Sequence, residues 1–94
     1  MKESQVEKYL HEQVVKLGGT TRKWVSPGRA GVPDRIVFLP GGVCFVEVKT
    51  DTGKPTVRQR REIAELRALG ADVMIVHGKS GVDQFINTVT NVIP

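Results

Sequence analysis

Val6, Leu10, Val14 and Leu17 recur at intervals of four and three, the spacing of one buried stripe on a helix. A helix is therefore predicted over residues 5–17, capped by Ser4 and stopped by Gly18 and Gly19. Thr20, Thr21, Trp24 and Val25 give residues 20–26 a strand character that Pro27 and Gly28 end, and residues 28–33 read as a loop. Residues 35–39 (RIVFL) and 43–49 (VCFVEVK) are two β-prone runs joined by Pro40, Gly41 and Gly42, the pattern of an antiparallel hairpin. Both runs are almost continuously apolar, so the sheet is expected to be covered on both faces. Thr56 can cap a second helix with Ile63, Leu66 and Leu69 facing inward and Gly70 ending it. A strand over residues 72–76 follows, and then a helix capped by Ser80 with Val82, Phe85, Ile86 and Val89 on one face.

The order α-β-β-β-α-β-α makes this an α/β chain, with the strands on either side of the second helix paired in parallel. A length of 94 residues suits one domain with one core, burying about 60% of the unfolded chain's surface. Aromatic residues are only 5% of the chain, so Val, Ile and Leu must fill that core, and a substrate lying on the surface fits better than one in a large enclosed pocket. No apolar run approaches the ~18 residues of a membrane helix, and the N-terminus lacks an apolar signal region. Cys44 is the single cysteine, which excludes an intrachain disulfide and a cysteine-rich zinc site. A cytoplasmic, reducing setting is expected.

The formal charge of +4 and pI of 9.6 favour a polyanionic partner such as nucleic acid. Lys16, Arg22, Lys23, Arg29 and Arg35 form one basic group with Asp34 as its only acid; Lys54, Arg58, Arg60, Arg61 and Arg67 form a second, diluted by Glu62 and Glu65. Solvated surface charge is the competing explanation. Lys23, Arg29, Arg35 and Lys54 are candidate DNA phosphate contacts, and Ser26 a candidate lining residue.

Glu47 and Lys49 stand two apart in an apolar strand, so both side chains share one face while Val48 points away. If Gly41 and Gly42 form the hairpin loop, Ile36 pairs with Glu47 and Asp34 with Lys49, and Asp34 lies diagonal to Glu47 on that face. Two such carboxylates suit Mg²⁺ or Mn²⁺; magnesium takes one or two protein carboxylates and fills its shell with water and phosphate oxygens. The Val48 carbonyl is a further candidate ligand, and Lys49 can hold a phosphate or orient a water. Isolated E-x-K triplets are common strand ends. Ending an otherwise buried run on Glu and Lys is costly without a role, and the preceding strand delivers a third charged group.

Gly31-Val32-Pro33-Asp34, followed across a hairpin by Glu47-Val48-Lys49, resembles the P-D…(D/E)-x-K signature of restriction-endonuclease-like nucleases. The wider string, SPGRAGVPDR from Ser26 to Arg35, FVEVK from Phe45 to Lys49, and Gly53-Lys54 leading to Gln59, is similar to the virus-type replication-repair nuclease (VRR-Nuc) family over nearly the whole chain. The resemblance implies an αβββαβ core with a mixed sheet flanked by helices, here with an extra C-terminal helix. It also implies an acidic residue on the first helix completing the metal site. Glu7 is the preferred candidate and Glu3 the runner-up, although Ser4-x-x-Glu7 also reads as a capping box. Gln59 corresponds to a glutamine beside the family's active site, yet Thr56-x-x-Gln59 is equally a capping box.

The activity so implied is a Mg²⁺- or Mn²⁺-dependent endodeoxyribonuclease, phage- or prophage-encoded, with Asp34, Glu47, Lys49 and Gln59 in catalysis and Glu7, Asp34, Glu47 and Val48 around the metal. Small members of the family resemble junction resolvases, which points to a homodimer cleaving a four-way (Holliday) junction in DNA repair. A flap-cleaving or nicking nuclease is the alternative within the class. A catalytically silent DNA-binding module is the alternative outside it.

Overall fold

The structure is a computed structural model that describes residues 1–92. Its elements in chain order are α1 (Glu3–Lys16), β1 (Thr20–Lys23), β2 (Arg35–Leu39), β3 (Gly42–Lys49), α2 (Val57–Ala68), β4 (Val73–His77) and α3 (Gly78–Val92). The four strands form one mixed sheet in the order β1-β2-β3-β4. β1, β2 and β3 are successively antiparallel, and β3 and β4 are parallel. This is the predicted α/β order. No described helix is long and apolar enough to cross a membrane.

The apolar stripe of α1 sits where its spacing requires: Val6, Leu10 and Val14 are fully buried against Val37, Val46 and Val48 of the sheet and Val82 and Phe85 of α3. Helices α1 and α3 thus share one face of the sheet, and the Tyr9 hydroxyl donates to Asp83 Oδ1 at 2.5 Å between them. Among the described helices, the opposite face receives only α2. Of its predicted inward positions Ile63 is buried, Leu66 is half-buried and Leu69 is 80% exposed. Polar contacts do much of the docking instead, with Arg67 donating through Nε (3.1 Å) and Nη2 (2.7 Å) to the Val73 carbonyl. Because α2 covers little of this face, Phe38 and Val43 remain exposed, and the expectation of a sheet covered throughout on both sides is corrected.

Local chemistry explains the shifted boundaries. α1 begins at Glu3 because Gln5 Oε1 accepts the Lys2 N–H at 2.8 Å, making Lys2 rather than Ser4 the N-cap. β1 ends at Lys23, short of the predicted Ser26, and forms one edge of the sheet. On that edge strand the Arg22 guanidinium folds back to donate to the Thr20 hydroxyl at 2.6 Å and the Thr21 carbonyl at 2.9 Å. β4 lies one residue later than expected and passes directly into α3, whose helix starts at Gly78 instead of after Ser80. Gly78 has a φ of +62°, and a side chain there would overlap the Asp51 carboxylate. Thr56 caps α2 as predicted, its hydroxyl accepting the Gln59 N–H at 3.1 Å.

The hairpin register differs by two residues from the expected one. Leu39 faces Gly42 and Arg35 faces Val46, so Pro40 and Gly41 make the turn. Proline has no N–H for a ladder and a backbone angle suited to the second position of a turn, which favours this closure over one that leaves Pro40 in the strand. Continuing the observed register by one residue sets Asp34 directly opposite Glu47. A slip of two preserves side-chain parity, so Asp34 and Glu47 remain on one face.

Candidate active site

β3 outruns β2. The ladder between them ends at Arg35 and Val46, while β3 continues to Lys49 with β4 still paired on its other side. Beyond Arg35 the chain turns toward Pro33, and the Val48 N–H, which would have met a β2 carbonyl, donates to Asp34 Oδ2 at 2.8 Å. The Asp34 carbonyl accepts the Trp24 N–H at 3.0 Å. The parting of the strands therefore leaves a notch with the Asp34 carboxylate fixed in its mouth.

Glu47 stands across that notch, 1% exposed. Its Oε2 is 3.0 Å from Lys49 Nζ, a charge contact without the directionality of a hydrogen bond, and neither carboxylate oxygen has a hydrogen-bond partner. Burial pushes the Glu47 carboxyl up to about 7 from an ordinary 4.5, the nearby Asp34 adding to the shift and Lys49 opposing it. A buried carboxylate beside a second acid is costly to keep charged, and protonation, the Lys49 ammonium 3.0 Å away and an added cation each relieve that cost. Lys49 is itself buried. Trp24 and Phe45 pack on the same face with ring centroids 5.1 Å apart, forming the apolar wall beside the acids.

The other candidates fall into different surroundings. Glu7 Oε1 accepts from Arg35 Nε at 2.7 Å and pairs with Lys23 Nζ at 3.3 Å. It reaches these groups from the α1 side of the sheet, since Arg35 and Lys23 alternate with Asp34 and Trp24 along their strands. Glu7 is no capping residue, because Gln5 fills that role. Among the described residues no three His, Cys, Asp or Glu side chains converge into a ligand cluster. Gln59 Oε1 accepts the Thr56 N–H at 2.9 Å, so its side chain closes the capping box of α2. The Ser26 carbonyl accepts the Arg29 N–H at 3.1 Å. The Arg29 guanidinium turns to α2, donating from Nε to Glu62 Oε1 at 2.9 Å and also pairing with Glu65. Lys54 is exposed on the turn before α2.

Sequence reasoning missed the Arg29 and Glu62 pair. The available signal was a single acid, Glu62, directly following the Arg58, Arg60 and Arg61 run at a position that turns out buried. An apolar groove of about 500 Å³ lined by Leu39, Val43, Cys44, Met74, Phe85 and Val89 lies at the opposite end of β3. It contains none of the converging charges.

A mixed sheet whose parting strands bring two acids and a lysine to one face defines a restriction-endonuclease-like α/β domain. A solved structure described as "VRR_NUC domain" superposes with a TM-score of 0.85 at 40% identity, covering 93% of this chain and 96% of that one. A second, "VRR_NUC domain protein", shares the fold at a TM-score of 0.69 and 15% identity, covering 96% of this chain and 86% of its own. A relative from Acyrthosiphon pisum secondary endosymbiont phage 1, named "Putative nuclease p44", is 51% identical over 77 residues, 81% of this chain and 83% of that protein. No family model matches the sequence. The chain belongs to the VRR-Nuc family of nucleases.

Proposed function

We propose that this chain is a metal-dependent DNA endonuclease that hydrolyses phosphodiester bonds at the notch between β2 and β3. The observation that carries this reading is the buried Glu47 carboxylate, both of whose oxygens lack hydrogen-bond partners, opposite an Asp34 fixed by the Val48 N–H. Two carboxylates match the way magnesium binds, with water and phosphate oxygens completing the shell. Asp34 and Glu47 would hold Mg²⁺ or Mn²⁺, and the Val48 carbonyl, on the same side of its strand as the N–H that meets Asp34, would be the third protein ligand. When bound, such an ion lowers the pKa of a coordinated water and offsets charge on the phosphate. Lys49 orients the attacking water and holds the phosphate without competing for the ion. Trp24 and Phe45 limit solvent on one flank.

Glu7 joins the ligand set only by releasing Arg35 and Lys23. Glu7→Gln therefore reports its place: a changed metal requirement puts it in the shell, and an unchanged one leaves it holding those two cations. Lys23 and Lys54, whose side chains are exposed, are proposed to contact DNA phosphates, Arg35 to do so only on leaving Glu7, and Gln59 to border the site through its amide nitrogen.

As substrate we infer a four-way junction cut by a homodimer, whose two-fold axis would match that of the DNA. The test is magnesium-dependent cleavage of a synthetic four-way junction beside a linear duplex and a flap. Preferential junction cutting by a species of dimeric mass supports the full reading; preferential cutting of the flap or nicking of the duplex replaces the substrate and keeps the enzyme. Undiminished cleavage by Asp34→Ala or Glu47→Ala overturns the site.

A further inference from the structure

Asp34 is held by the Trp24 N–H on its carbonyl and the Val48 N–H on its carboxylate, and the direction from which the chain enters is set by the segment before it. Pro33 joins that segment to Asp34; it is fully buried and its ring fixes its own φ, so the link between the two has little slack. The first part of that segment has no apolar anchorage of its own: Pro27, Gly28, Arg29 and Ala30 are exposed, and of the apolar side chains only Val32, next to Pro33, is half-buried. The segment is joined to α2 at two points. Arg29 brings Nε to 2.9 Å and Nη2 to 2.7 Å from Glu62 Oε1, with Glu65 as a further partner. Gly31, at φ +90°, packs so closely on α2 that a Cβ would lie 3.0 Å from the Arg58 carbonyl oxygen.

Glu62 makes this a specific contact. Its side chain is 8% exposed, and an acid so buried is strongly disfavoured once its partner is removed. Arg29 can bridge two carboxylates because its guanidinium presents a fork of donors. A guanidinium committed in this way is not free for a DNA phosphate, the role its position in a basic loop suggests.

We propose that Arg29 is a positioning residue: its ion pairs with Glu62 and Glu65 lock the segment before Asp34 onto α2 and so set where the Asp34 carboxylate stands in the notch. The kinetic part of this inference rests on the nuclease reading; the placement of Asp34 does not.

Arg29→Ala, Glu62→Ala and the double variant test it by two measurements made well below the melting temperature. Amide hydrogen exchange of the metal-free protein reads the Val48 N–H, which reports directly on Asp34, against the Val46 N–H further into the β2–β3 ladder. Steady-state cleavage separates kcat from KM. The expected result is Val48 exchange faster by about tenfold or more, with Val46 unchanged, and kcat lower by about 10- to 100-fold at near-constant KM, as for sub-ångström to ångström misplacement of a reacting group. The double variant should show no larger an effect than Arg29→Ala alone, because that substitution already breaks the contact and also leaves Glu62 buried without its partner, whereas Glu62→Ala keeps the pair with Glu65.

A higher KM, a shallower salt dependence and additive effects, with kcat and Val48 exchange unchanged, would show a direct phosphate contact and overturn the proposal. A lower melting temperature with Val48 exchange and kcat unchanged would reduce the pair to general stability and overturn it as well. Wild-type protein that cuts no DNA would sink the nuclease reading, and the exchange comparison would still decide the role of Arg29.

Discussion

The two faces of the sheet are built from alternate residues of the same strands and differ in nearly every respect. On the α1 and α3 side, β3 presents Cys44, Val46 and Val48 to a dry aliphatic layer. On the α2 side it presents Glu47 and Lys49 beside Asp34, with only Ile63 as a fully buried apolar residue of the covering helix and with Phe38 and Val43 left open. One face supplies the stability that the other spends on holding buried charge. The separation is possible because strand periodicity lets adjacent residues belong to different environments.

The sharpest way to break this division is Asp34→Ala. It should lower cleavage by about 10³-fold, several kcal/mol of lost charge stabilisation, while circular dichroism melting shows the fold intact. On the opposite face Leu10→Ala should do the converse, costing about 2–5 kcal/mol of unfolding free energy measured by urea titration, with activity retained in the folded fraction. If both variants fail in both assays, the faces are not separable.

Metal should act on the charged face alone. At about 100 times its dissociation constant, Mn²⁺ should raise stability by about 2.7 kcal/mol, measured by denaturant titration with and without chelator, and Glu47→Gln should remove most of that gain. A further effect comes from pH. The Glu47 carboxyl is raised by burial from 4.5 to about 7, so the fold favours its protonated form. Its contribution to stability is full below the ordinary value and is lost as pH rises through about 7. The melting temperature of metal-free protein should therefore fall as pH rises from 4.5 to about 7 and level off above that, and Glu47→Gln should flatten the slope. The smallest change belongs to the open part of the α2 side, where Val43→Thr, at a position 52% exposed, should shift stability by about 0.5 kcal/mol or less. A large loss there would mean that something covers this patch in solution.

Residue patterning made the α1 face legible because burial there follows periodicity, as Val6, Leu10 and Val14 do. It also placed Asp34, Glu47 and Lys49 correctly on one face despite a register error, since a hairpin shifted by two residues keeps parity; the turn preference of Pro40 set the true register. The α2 side was harder to read. Leu69 has helical spacing and remains in solvent, because α2 is held by Arg29 to Glu62 and by Arg67 to a backbone carbonyl, contacts that leave no periodic trace. The same limit applies to Glu7. Whether an acid on α1 faces a cation binding site or a basic neighbour depends on Arg35, 28 positions away, and spacing along one helix does not encode such a partner.

The brevity of β1 has a consequence for self-association. A bare strand edge offers a row of peptide groups on which another chain can template, the first step toward fibrils. Here that row spans four residues, two of them cationic, and Arg22 folds its own guanidinium onto the Thr21 carbonyl. A stray strand arriving at this border would meet like charge and an acceptor already taken, so concentrated solutions of the protein should resist growth of cross-β aggregates from this side.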